Sequence, residues 1–173
     1  MSNRVALLIG GNQGDRHALL QKTTVLIRQR IGTVVQMSAV YETAPWGCFE
    51  PDASMRRPPD FLNQALLVST DLSAHEVMEE ALLIEAVLGR LRPDKPDMAM
   101  HDIAEVPQRV YRSRPMDIDL IFFNDEVIDT PDLTIPHPRA HQRRFVLEPL
   151  CEIMPDFTHP VLHKTMKQLL DEV

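Results

Sequence analysis

The chain has 173 residues, 44% apolar and 25% charged, the balance of a globular protein with room for one good core and not for two. Its formal net charge of −7 argues against nonspecific attraction to nucleic acid, and its longest apolar runs, Val5 to Ile9 and Leu120 to Phe123, are too short to cross a bilayer. Two cysteines, Cys48 and Cys151, make neither a CxxC pair nor a disulfide framework, and no signal-peptide pattern precedes Val5; the expectation is a cytoplasmic protein with no membrane partner.

Val5 to Gly10 reads as a short buried strand closed by the turn Gly10-Gly11-Asn12-Gln13-Gly14. Asp15 has the chemistry of a helix N-cap, Leu20, Ile27 and Ile31 follow at helical spacing, and Gly32 offers the stop. A second strand is expected from Val34 to Thr43 and a third from Phe61 to Thr70. Ser73 with Glu76 is a capping box, Leu72 and Val77 suit a hydrophobic staple, and the stripe Val77, Ala81, Ile84, Leu88 runs to Gly89. Met116 to Phe123 reads as a fourth strand, and Asn124-Asp125 as a hairpin-like turn into a short strand near Val127 and Ile128. Helices are expected near Arg143 to Ile153 and Thr165 to Leu170.

Strand, helix, strand, strand, helix, strand is the order of an α+β, ferredoxin-like βαββαβ sandwich, here with a C-terminal helical extension, in one domain spanning 1–173. The connections from Gly47 to Asp60 and from Pro93 to Ser113 are longer than a compact domain ordinarily carries, which marks them as lids, binding loops or disordered insertions.

Asp117-Ile118-Asp119 is the sharpest chemical signal. Alternation along a strand sends both carboxylates to one side, about 6–7 Å apart. At an effective dielectric near 20 they repel by about 2–3 kcal/mol, and a divalent cation reverses that sign. Magnesium suits such a pair, because it takes hard oxygens and keeps waters and phosphates as its other ligands. On an exposed strand the same pair is simply two solvated carboxylates. Arg114 lies three residues before Asp117, and Arg90 and Arg92 follow the expected helix where the long loop begins; guanidinium groups grip phosphate bidentately, so metal and arginine together point to phosphoryl transfer. No GxxxxGK[ST] run occurs. Phe61 and Phe145 are candidate faces for a flat heterocycle, with Trp46 beside the first long loop, and Asn63 shares the strand face of Phe61. The pairs His137/His141 and His159/His163 are each spaced by four, but Pro136, Pro138 and Pro160 spoil the geometry for zinc, and His137 suits a donor to phosphate. A metal-dependent glycosyl- or nucleotidyltransferase also uses a DxD pair, and a ligand-binding module without turnover is a third reading.

An ordered set of segments then resembles one family, the 6-hydroxymethyl-7,8-dihydropterin pyrophosphokinases of folate synthesis. The set comprises Leu8-Ile9-Gly10-Gly11-Asn12-Gln13-Gly14-Asp15, Tyr41-Glu42-Thr43-Ala44-Pro45-Trp46-Gly47, Asp60-Phe61-Leu62-Asn63, Ile84-Glu85 with Gly89-Arg90-Leu91-Arg92, Arg114-Pro115-Met116-Asp117-Ile118-Asp119-Leu120-Ile121, Leu133-Thr134-Ile135-Pro136-His137-Pro138 and Arg143-Arg144-Phe145-Val146-Leu147-Glu148-Pro149-Leu150. The resemblance implies ATP as co-substrate and two Mg2+ ions on Asp117 and Asp119, bridging the phosphates. It implies that Arg90, Arg92 and Arg114 engage those phosphates, that His137 and Arg143 hold the triphosphate, and that Glu85, Leu120 and Thr134 line the nucleotide site. Phe61 and Phe145 would sandwich the pterin, with Asn63 and Thr43, Ala44, Pro45 and Trp46 at its edges. The pterin hydroxyl would attack the β-phosphorus and release AMP. Two departures stand out: Leu82 occupies a position where the family commonly has glutamine, and Val110-Tyr111-Arg112-Ser113-Arg114 replaces the usual Arg-Trp-Gly-Pro-Arg.

Overall fold

The computed structural model describes residues 2–45, 59–89 and 115–173, together with the backbone of 48–49 and 110–111. Strand β1, Asn3–Gly11, lies at the centre of an antiparallel sheet, between β5, Phe61–Thr70, and β7, Asp117–Phe123. The strand β2, Thr33–Met37, pairs with the far side of β5, which gives the order β2-β5-β1-β7. A three-residue strand, β3, Tyr41–Thr43, also pairs with β5. Helix α1, Arg16–Arg30, links β1 to β2, and helix α2, Ala74–Val87, links β5 toward β7.

Seven successive residues of β1 are buried, because the sheet is covered on both faces. Val5, Leu7 and Ile9 pack with Leu20 and Ile27 of α1 and with Val77 and Ile84 of α2. Ala6 and Leu8 point the other way, into a cluster with Val146, Leu147 and Leu150 of α3, Arg144–Ile153, and Met166 and Leu169 of α4, Met166–Asp171. An apolar run without polar alternation is what a strand buried on both sides requires.

The expected caps are present. The Asp15 carboxylate accepts from the Ala18 N–H at 3.1 Å, and Ser73 and Glu76 form a reciprocal capping box. Leu72 packs against the core that buries Val77. A second box, Thr165 with Gln168, opens α4. Gly32 follows the end of α1 as expected, but its need for glycine is one of space, since a side chain there would run into the Ser69 carbonyl of β5.

Two expectations are corrected. The strand expected over Val34 to Thr43 is broken into β2 and β3, because Ser38 diverts the ladder: its hydroxyl accepts from the Ala65 N–H at 2.9 Å and donates to the Ala39 carbonyl at 2.7 Å. The turn at Asn124, φ 50°, does not fold a strand back on β7; the short strand β8, Ile128–Asp129, pairs with β9, Thr134–Ile135. The Asn124 side chain instead accepts from the Arg4 N–H at 2.8 Å and so ties the end of β7 to β1. Most of both long connections lies outside the described residues; within them, β4, Cys48–Phe49, pairs in parallel with β6, Val110–Tyr111.

The C-terminal histidines serve the fold. His159 is 4% exposed, and its Nδ1 accepts from the N–H groups of Val161 and Leu162 at 3.2 and 3.1 Å, while its ring meets Phe122 and His141 edge-on. Among the described residues, no helix is long and apolar enough to cross a membrane.

Candidate active site

Register decides which side chains can meet. Gly10 of β1 stands opposite Asn63 of β5 on one side and opposite Asp117 of β7 on the other. Tyr41 of β3 extends the same row beyond Asn63. One step along, Leu8 faces Ala65 and Asp119. Residues directly opposed in an antiparallel sheet share a face. Asn63, Asp117 and Asp119 are therefore on the face that carries Leu8 and Ala65, and Phe61, two residues before Asn63, joins them. Two strand spacings place Asn63 and Asp117 about 10 Å apart across the gap that Gly10 leaves open.

That gap is necessary. A Cβ on Gly10 would meet the Asn63 Oδ1, and would lie 2.8 Å from the Leu62 carbonyl oxygen. Asn63 is 5% exposed, and its Nδ2 donates to Thr43 Oγ1 at 2.9 Å, so the amide spans from β3 toward β1 with its oxygen over the glycine. The entry to β5 is pinned as well. Asn12 Nδ2 donates to the Pro59 carbonyl at 3.2 Å, and Arg16 donates to the Asp60 carbonyl at 2.9 Å while pairing with Glu42 at 3.1 Å.

Asp117 and Asp119 are half-buried, and the backbone between them is held from the opposite side of the sheet. Glu85 of α2, 2% exposed, accepts from the Ile118 N–H at 2.8 Å. Ile118 and Leu120 point into the core under α1 and α2. Thus Glu85 braces the strand that bears the aspartates, and the Leu120 side chain faces away from them.

Above the carboxylate face sit the segments that follow β9. The His137 N–H donates to the Ile121 carbonyl at 3.0 Å, which lays this stretch along β7. His137 Nδ1 accepts from the Arg139 N–H at 3.3 Å, so the neutral ring carries its proton on Nε2, as a donor. Thr134 in β9 is exposed. Arg143, 7% exposed, directly precedes α3, and its guanidinium stands 5.8 Å from the centroid of the half-buried Phe145 ring. Phe145 packs on the cluster that includes Leu8 and Ala65.

The structure brings Phe61, Asn63, Asp117 and Asp119 onto one face, with Phe145 packed at the apolar cluster of that face. Thr43 is joined to Asn63, and the half-buried Pro45 and exposed Ala44 follow β3. Trp46, Arg90, Arg92 and Arg114 lie outside the described residues, as do Arg109 and Arg112. Sequence reasoning read Gly10 only as part of a tight turn and gave no role to Asn12, Arg16, Tyr41 or Glu152. A signal existed for Gly10, since glycine inside a strand marks close approach of neighbouring groups.

Paired carboxylates, an amide and aromatic rings gathered on one sheet face are the equipment of a small-molecule transferase. Residues 6–155 match the model of the 7,8-dihydro-6-hydroxymethylpterin-pyrophosphokinase family, and the chain belongs to that family. A 2-amino-4-hydroxy-6-hydroxymethyldihydropteridine pyrophosphokinase from Porphyromonas gingivalis is 33% identical over 157 residues, covering 90% of this chain and 93% of that protein. The protein of the same description from Bacillus subtilis is 36% identical over 154 residues, covering 88% of this chain and 79% of that one. Among solved structures, Plasmodium falciparum HPPK-DHPS with pteroate matches with a TM-score of 0.72 at 16% identity. The match covers 99% of this chain but 42% of that one, and it is a likeness of fold.

Proposed function

We propose that the face around Gly10 is the centre at which pyrophosphate passes from ATP to the hydroxymethyl group of the pterin. The chain is a pyrophosphokinase that acts on hydroxymethyldihydropterin in folate synthesis. The observation that carries the site is the cross-strand row Asn63–Gly10–Asp117, with Asp119 one step away on the same face.

In this reading Phe61 and Phe145 take the two faces of the pterin, and Asn63 with Thr43, Ala44, Pro45 and Trp46 takes its edges. A buried amide has donors and an acceptor for a ring edge, and stacking adds about 0.5–1.5 kcal/mol beyond burial. Arg143 and His137 present a cation and an Nε2–H donor to the triphosphate, joined by Arg90, Arg92 and Arg114. Glu85 and Thr134 act at the nucleotide side, Glu85 chiefly by bracing Ile118, and any contact of Leu120 with nucleotide runs through its main chain. Asp117 and Asp119 fit magnesium, being half-buried hard-oxygen donors on one face, and would hold two Mg2+ ions. Bound there, the metal would neutralise charge on the phosphates.

The reaction balances simply. The pterin hydroxyl oxygen forms a bond to the β-phosphorus, the bond from that phosphorus to the α-phosphate oxygen breaks, and AMP leaves as the hydroxyl proton departs. Because this chemistry is mostly positioning and charge stabilisation, the residues above bind and orient rather than react. We read the four main strands as a ferredoxin-like sandwich extended by α3 and α4, the whole chain as one domain, and its setting as the cytoplasm.

Product analysis tests the proposal. Incubation with ATP, magnesium and the hydroxymethyl pterin should yield AMP and pterin diphosphate, and both Asp117→Asn and Asp119→Asn should remove the product. ADP in place of AMP would refute β-attack. Nucleotide binding without any product would support a module that does not turn over.

A further inference from the structure

We propose that Glu152 is a positioning residue for the pterin, tying the short strand β3 to the helix that carries Phe145. The proposal rests on the site reading given above. Glu152 lies near the C-terminal end of α3, and its two oxygens serve different groups of one segment. Oε2 accepts from the Tyr41 hydroxyl at 2.6 Å, and Oε1 accepts from the Ala39 N–H at 3.0 Å.

The segment so held needs holding. Among the described residues β3 pairs only with β5, through Tyr41, Glu42 and Thr43 opposite Asn63, Leu62 and Phe61. Three pairs make a weak strand, yet it bears Thr43, which accepts from the Asn63 amide, and it leads directly into Ala44 and Pro45. Alternation sends Tyr41 to the face of Asn63 and Glu42 to the other. Arg16 takes Glu42 from that other face at 3.1 Å, and Glu152 takes Tyr41 from the site face. The strand is gripped from both sides.

Helix geometry supplies the link to the ring. Phe145 and Glu152 are seven residues apart in α3, two turns, which puts them on nearly one stripe about 10 Å apart. One rigid element therefore sets Phe145 and, through the carboxylate, the strand that carries Thr43. The clasp fixes the separation of two walls of the pterin cleft. Charge-assisted hydrogen bonds of this kind are the stronger ones. The same carboxylate pushes the Tyr41 phenol up to about 12, so the hydroxyl remains a donor far into alkaline solution.

The test measures pterin and ATP-analogue affinity by calorimetry for Glu152→Gln, Glu152→Ala, Tyr41→Phe and Asn63→Ala, with alkaline difference spectra at the tyrosine band. We expect the Glu152 variants and Tyr41→Phe to weaken pterin binding about fivefold, with nucleotide affinity and kcat at saturating pterin within about twofold. In Glu152→Gln the Tyr41 ionisation should fall back toward its ordinary value of 10.0. Unchanged pterin affinity alongside a moved tyrosine titration would overturn the proposal, showing a clasp that positions nothing. Equal losses for both ligands with a lowered Tm would also overturn it, as plain destabilisation. If Glu152→Ala fails to fold, Tyr41→Phe carries the test. Asn63→Ala separates the layers: should it leave pterin binding intact, the site reading falls and this inference with it; should it weaken binding while Glu152 variants do not, only the positioning role falls.

Discussion

Replacing Gly10 by alanine should damage the protein in two ways that can be measured apart. The new methyl would stand 2.8 Å from the Leu62 carbonyl oxygen and 3.3 Å from Asn63 Cγ, besides meeting Asn63 Oδ1. The Leu62 carbonyl belongs to the β1–β5 ladder and yields little; the Asn63 side chain can rotate, but only by giving up its 2.9 Å bond to Thr43. Overpacking of this size costs about 1–3 kcal/mol. For a chain of 173 residues each kcal/mol lowers Tm by about 2–4 °C, so a fall of about 2–12 °C is expected. Displacing the amide should cost a further 1–2 kcal/mol or so at the pterin, about 5- to 30-fold in affinity, with much less change for nucleotide. Scanning calorimetry reads the first effect and titration with pterin and a nonhydrolysable ATP analogue reads the second. Asn63→Ala supplies the control, because it removes the movable half of the clash, so the stability losses of Gly10→Ala and Asn63→Ala should combine to less than their sum. A Gly10→Ala protein that melts and binds pterin like the parent would refute the register argument, and strict additivity would refute the contact.

Other outcomes follow from the same geometry. Asp117→Asn and Asp119→Asn should each lower turnover by at least about a hundredfold, which quench-flow checks. Phe145→Ala should weaken pterin more than ATP analogue in parallel titrations, and equal losses would count against stacking. Glu85→Ala should leave the Ile118 N–H without its buried acceptor and cost about 1–3 kcal/mol by denaturant unfolding. Burial pulls the His159 pKa below 6.5, with His141 and His163 adding to the effect. The unfolded chain then takes up the proton first, so the stability from this ring is complete above pH 6.5 and drains away as pH falls through the lowered native value. NMR of the imidazole should show the Nε2–H tautomer and a depressed midpoint; a midpoint above 6.5 would contradict the cap.

The elements were legible where the signal is local. Asp15 and Ser73 act on backbone three residues away, and a capping rule needs nothing more. The apolar block Val5 to Ile9 announces a strand with two covered faces. The aspartate pair and the alternation placing Asn63 with Phe61 are likewise properties of a few consecutive residues. Illegible features depend on partners far along the chain. Ser38 breaks its strand because Ala65 is there to be bonded, 27 residues on. Glu85 finds Ile118 at a separation of 33, and Glu152 finds Tyr41 at 111. None of these carries a motif, because any acceptor on a helix could serve and only the packing chooses one. The resemblance to a family supplied roles for Glu85 and Leu120 at the nucleotide; the packing shows the first bracing β7 and the second turned into the opposite core.

The two-sided burial of β1 has a consequence for mutational behaviour. Even-numbered positions, Ala6 and Leu8, are buried against α3 and α4, whereas odd-numbered ones, Val5, Leu7 and Ile9, wedge the sheet onto α1 and α2. A saturation scan of this strand should therefore find no parity that accepts polar replacements: one set unseats α3 and α4, its neighbours unseat α1 and α2, and the two alternate at every step of the chain.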